Sequence, residues 1–129
     1  MNKALFALFK RFFGQQAPVF TGLLAGYALK RTVQTLAADG TVDPTLGTVI
    51  NVDNSAGNRA LLLPVGAAAL VGMKLTFVRI TATANTCTVG RSGSDTIDGA
   101  TSTKSLSAQW KAFTLVLTAA NSWVTESAT

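Results

Sequence analysis

The chain has 129 residues, enough for one compact domain with an appendage. It has no histidine and a single cysteine, Cys87. That excludes Ser-His and Cys-His nucleophile arrangements, an intrachain disulfide and any multi-cysteine zinc site. The net charge of +5 is held unevenly: the first 38 residues carry Lys3, Lys10, Arg11, Lys30 and Arg31 with no acid, whereas the remaining 91 carry six charges of each sign.

The N-terminal stretch also holds Phe6, Phe9, Phe12 and Phe13, four of the seven phenylalanines, with Phe20 further on. Leu5, Leu8, Phe9, Phe12 and Phe13 recur at helical spacing, with Lys3 and Lys10 on the other side, so a short amphipathic helix is predicted over residues 2–13. Gly14 supplies a stop and Pro18 an extended restart. Twelve residues are too few for a stable isolated helix in water, so this one is expected to order against a partner, with folding back onto its own body as the alternative. A secretory signal is disfavoured because Lys10-Arg11 cuts the apolar run short, and no leader is expected to have been removed ahead of Met1. A membrane span over residues 12–29 is disfavoured by Gln15, Gln16, Pro18 and three glycines. Five charges without stacking motifs suggest electrostatic contact at most with nucleic acid, and no sequence-specific reading of it. Residues 1–31 therefore read as a docking arm, helical and extended in turn, with Lys3, Leu5, Phe6, Phe9, Lys10, Arg11, Phe12, Phe13 and Phe20 as its contact residues.

From residue 32 the period changes to alternation. Strands are predicted at 32–36, 47–52, 59–63, 73–80, 86–90, 104–106, 110–117 and 123–125. Asp-, Asn-, Gly- and Pro-rich turns separate them, including one at 38–44, and residues 66–71 stay undecided between a loop and one helical turn. Leu75 and Phe77 share one face, as do Phe113, Leu115 and Leu117, while the apolar run 59–63 has the form of a core strand. The expectation is a mainly β protein, with residues 32–129 forming a single small sandwich-like or jelly-roll-like domain. Only 13% of the residues are charged. The mean hydropathy is +0.35, which suits a body covered by neighbours in an oligomer or assembly. Alternation places Cys87 in the core.

Several short motifs carry a resemblance. Val52-Asp53-Asn54-Ser55, Leu61-Leu62-Leu63-Pro64, Gly72-Met73-Lys74-Leu75-Thr76-Phe77, Thr86-Cys87-Thr88-Val89, Ser94-Asp95-Thr96-Ile97-Asp98-Gly99 and Asn121-Ser122-Trp123 follow one another in that order. The pattern, over residues 47–125, resembles the small β domains of tailed-bacteriophage virion proteins: head decoration or cement proteins, head fibres and tail-fibre modules. The resemblance implies a non-enzymatic homotrimer in which Asp95, Ile97, Asp98 and Gly99 form a tight turn and Trp123 packs near the end of the sandwich. Trp110 and Trp123 are expected in the core or at a subunit interface rather than as a carbohydrate platform. Asp53, Asn54, Asp95 and Asp98 are calcium-ligand types, but they lack the dense spacing of a dedicated loop, so each is expected to bond its own backbone.

The leading expectation is a capsid-surface decoration protein, made in the host cytoplasm, whose arm grips the major capsid protein. It needs no cofactor or metal and performs no catalysis. A head-fibre or tail-fibre/spike subunit is the alternative, and a membrane-attached binding module the third class.

Overall fold

A computed structural model describes residues 30–129. Arg31–Thr129 forms one compact unit. Its strands are β1 (Val33–Leu36), β2 (Gly40–Thr41), β3 (Val49–Val52), β4 (Arg59–Leu62), β5 (Lys74–Arg79), β6 (Cys87–Gly90), β7 (Thr96–Ile97), β8 (Lys104–Ser105), β9 (Ala112–Ala119) and β10 (Ser122–Ala128). The undecided segment contains one 3-10 turn, Ala68–Leu70. The protein is mainly β, as alternation indicates.

The strands form two sheets, ordered β1-β3-β5-β9-β10-β7 and β2-β4-β6-β8. Through its first six strands the chain crosses to the opposite sheet after every strand. Each strand therefore lies parallel to the next but one: β1 to β3 to β5 in one sheet, β2 to β4 to β6 in the other. The result is a flattened winding of three rungs. Antiparallel strands close its far end, with β9 on β5, β10 on β9 and β8 on β6. The near end, formed by β1 and β2, lacks any such strand among the described residues.

Inward-facing side chains of both sheets meet in one core that includes Ile50, Leu61, Leu75, Phe77, Val89, Leu115 and Trp123. Fully burying a side chain of this kind stabilises the fold by about 1.5–3 kcal/mol. Phe77 and Phe113 stand opposite each other across β5 and β9 with ring centroids 5.4 Å apart. The run 59–63 alternates after all: Leu61 and Leu63 are buried, but Leu62 is exposed because, among the described residues, this sheet is covered on one side only. Gly40–Thr41, read from sequence as part of a turn, is a two-residue strand.

Two polar residues occupy inward positions. Gln34 aligns with Ile50 and Phe77, and its Nε2 donates to the carbonyls of Asp43 (2.8 Å) and Gly47 (2.6 Å). It thereby ties the 43–47 turn to the first rung. Arg79 follows Leu75 and Phe77 on the inner face and is almost wholly buried. Among the described residues it has no acidic partner. Its guanidinium donates instead to the carbonyls of Thr81 (3.1 Å), Leu106 (3.1 Å) and Thr83.

Candidate functional site

The arm residues Lys3, Leu5, Phe6, Phe9, Lys10, Arg11, Phe12, Phe13 and Phe20 lie outside the described residues. The described chain begins at the junction, where Arg31 is fastened to the body. From its place just before β1, its side chain reaches β5. Nε donates to Thr48 Oγ1 (3.1 Å), Nη1 to Thr76 Oγ1 (2.7 Å), and Nη2 to the carbonyls of Thr48 (2.7 Å) and Lys74 (2.9 Å). A planar fork of donors suits this task, because one side chain satisfies acceptors on neighbouring strands. Arg31, which composition alone groups with the arm, is thus part of the compact β unit.

Asp95 sits at the far end of the winding, wholly buried. Its Oδ2 accepts from the Gly66 amide (2.7 Å) and the Trp123 indole Nε1 (3.2 Å), and its Oδ1 accepts from Asn121 Nδ2 (2.6 Å). The Gly66 carbonyl in turn accepts from the Asn121 amide at 2.7 Å. A buried carboxyl group is tolerated in such a dry place because each of its oxygens accepts hydrogen bonds, three in all. Three segments distant in sequence are therefore knotted together by one side chain. Ile97 and Trp123 pair across β7 and β10, and both are buried.

Asp98 and Gly99 form the two central residues of a hairpin turn closed by reciprocal bonds between Ile97 and Ala100 (2.8 and 3.0 Å). Both have positive φ, 53° and 75°, the geometry that Asp-Gly turns favour. The Asp98 carboxylate pairs with Lys104 (2.6 Å) and accepts from the Thr125 amide and hydroxyl (2.7 Å each). Lys104 first, then Thr125, pull its pKa down to about 2.

The expectation that the four Asx residues bond their own backbone holds only for Asp53, which accepts from the Ser55 amide at 2.9 Å. Asp95 and Asp98 bond across the fold, and Asn54 is buried and bonded to Thr81 and Asn85. Sequence spacing cannot show this, since apart from Lys104, six residues beyond Asp98, the partners lie 26 to 31 residues away. Hydrogen bonds from Ser55 lower the Asp53 pKa, and those from Thr45 lower that of Asp43. Among the described residues no three His, Cys, Asp or Glu side chains are grouped to hold a metal ion. None of the described helices is long and apolar enough to cross a membrane.

The two tryptophans part company: Trp123 is buried, whereas Trp110 is 66% exposed. Trp110 also adopts a left-handed backbone conformation with φ of 64°, a strained state for a bulky residue. Its amide donates to the Arg79 carbonyl at 2.7 Å. Arg79, together with Thr83, Thr86, Cys87, Ser105 and Ser107, lines a cleft of about 350 Å³. Burial raises the Cys87 thiol pKa, with the Arg79 charge opposing it. Arg79 was not singled out by sequence, although its place two residues beyond Phe77 in an alternating strand was the available signal.

Comparison with protein-family models and with curated proteins gives no match.

Proposed function

We propose that this chain is a structural protein of a tailed-bacteriophage virion, a capsid decoration protein whose N-terminal segment docks onto coat subunits. The β body, as a homotrimer, is what that segment holds on the capsid surface. The observation that carries this reading is the Arg31 fastening. Four hydrogen bonds fix the first residue of the compact unit to its sheet, so the basic, phenylalanine-rich segment is joined to a rigid point. A pull on the segment is passed directly to parallel strands. The body beyond Arg31 has balanced charge, and the carboxylates of Asp95 and Asp98 are occupied in bracing it. This suits a static part better than an acid–base catalyst. Segments that order on binding contribute modestly per copy, and symmetry multiplies the effect.

The test is co-sedimentation with purified capsids. Deleting residues 2–29 is expected to leave a folded body that no longer pellets with capsids, and retained binding would overturn the docking role. A second reading, a head-fibre or tail-fibre subunit, draws on exposed Trp110, a contact residue suited to a terminal knob. Images of labelled particles separate the two: label spread over the head supports decoration, and label at vertices or tail supports a fibre.

A further inference from the structure

We infer that the cleft between the loop 80–86 and the segment 105–107 binds a small oxyanion, a carboxylate or phosphate group, as the counter-ion of Arg79. Arg79 is 3% exposed, and its guanidinium cannot be deprotonated in a protein. A charge so placed is normally paired with an opposite one. No acidic side chain of this chain supplies that partner. There are six, Asp39, Asp43, Asp53, Asp95, Asp98 and Glu126, and all lie among the described residues. The two ion pairs found there use Glu126 with Lys74 and Asp98 with Lys104. The counter-ion must therefore come from outside the chain's own acids.

The cleft offers an anion a place beside that charge. Nη1 donates to the Leu106 carbonyl, and Nη2 to the carbonyl and hydroxyl of Thr83. Thr83 and Leu106 both line the cleft, one from each of the segments that form it, and Arg79 lines it too. Nε is taken by the Thr81 carbonyl. Of the five N–H groups, one on Nη1 thus has no acceptor among the described residues. These neutral acceptors satisfy hydrogen bonds but leave the net charge in place. Burial raises the Cys87 thiol pKa and the Arg79 charge opposes it, so that charge is felt on the lining. The lining holds no carboxylate to repel an anion, and it includes the hydroxyls of Thr86, Ser105 and Ser107, which rotate to donate. Ser105 and Ser107 flank the carbonyl that Nη1 meets, and both are exposed. A volume of about 350 Å³ lies at the lower end of ligand sites.

The experiment is titration of the full chain with sodium phosphate and, separately, sodium acetate, read by amide chemical shifts at constant ionic strength against sodium chloride. Saturable shifts are expected at Thr83, Thr86, Ser105 and Ser107, half complete at about 1 mM for the better anion. A response to phosphate alone assigns a phosphoryl ligand, and one to acetate alone a carboxylate. Arg79→Met is expected to abolish the shifts. That variant strips three carbonyls of their donor, so Ser107→Asp serves should it misfold. A carboxylate placed in the cleft competes for the same charge and is expected to weaken the added anion at least about tenfold. Ser105→Ala combined with Ser107→Ala is expected to weaken it about tenfold with an unchanged circular dichroism spectrum. Absence of shifts across the millimolar range would overturn the inference, as would equal shifts with chloride or shifts confined to the basic N-terminal segment. So would binding that Ser107→Asp or a folded Arg79→Met leaves unchanged.

Discussion

The indole N–H of Trp123 donates to the carboxylate of Asp95 at 3.2 Å, and both side chains are wholly buried. The largest core side chain is thereby oriented by a carboxyl group that water does not reach. Replacing Asp95 with alanine leaves the Gly66 amide, the Trp123 indole and the Asn121 side chain without their acceptor. The expected loss is about 3 kcal/mol of unfolding free energy, measured by urea denaturation. Trp123→Phe removes one donor and some volume, and is expected to cost less than Asp95→Ala.

Gly66 and Gly99 make a second, contrasting test. A Cβ at Gly66 would lie 2.8 Å from Leu117 Cδ1 and 3.1 Å from both the Asn121 amide nitrogen and Asp95 Oδ2. Gly66→Ala is therefore expected to cost about 1–3 kcal/mol through overpacking. A Cβ at Gly99 meets nothing within 4 Å, but φ is 75°. Gly99→Ala is expected to cost about 1 kcal/mol for conformation alone. Thermal melts of the two variants separate the crowded position from the merely left-handed one.

Stability should depend on pH through Asp98. Its folded pKa is lowered from 3.8 to about 2. A depressed carboxylate contributes stability that is complete above its unfolded value and is lost as pH falls through the folded one. The contribution should thus be intact above about pH 5 and vanish towards pH 2. Comparing the melting temperatures of the parent and Asp98→Asn across that range tests it, and the two curves should converge at the acid end.

Trp110→Gly should raise stability by about 1 kcal/mol, because glycine adopts positive φ without the strain that Trp110 bears. If the exposed ring serves a contact, the same variant should bind particles more weakly while melting higher. Chemical denaturation and capsid pelleting read the two effects separately.

Arg31→Lys should behave like Arg31→Ala, with a loss of about 1 kcal/mol, because an ammonium cannot reproduce a fork that meets acceptors on both Thr48 and Thr76. Faster amide exchange at the start of β3 is the accompanying sign.

Alternation made the strands at 73–80 and 110–117 legible, along with their core faces, because side chains on a pleated strand reverse at every residue. It says nothing about which strand lies beside which. Parallel and antiparallel neighbours impose the same alternation, so the repeated crossing between sheets left no mark. No repeat in sequence marks the rungs either: from Val33 to Val49 the register advances 16 residues, and from Val49 to Thr76 it advances 27. The Asp95 brace was half legible. Its residues stand out as turn and late-tryptophan motifs, but a bond between them depends on the folded path. Gln34 and Arg79 were hidden for a further reason, since polar side chains at inward positions run against the pattern that identifies a core. Arg31 was grouped by charge with residues before it, whereas its acceptors are hydroxyls and carbonyls that charge counting does not see.

The winding also bears on the order in which the body assembles. β9 and β10 are joined by a tight hairpin, with Ala119 opposite Ser122, whereas Phe77 must find Phe113 and Val49 must find Thr76. Short-range closure is entropically cheaper than long-range closure, so the final hairpin is the natural nucleus. As the chain leaves a ribosome, that hairpin emerges after β1 to β8. The parallel rungs of β1 to β6 are therefore made before the hairpin on which they close exists.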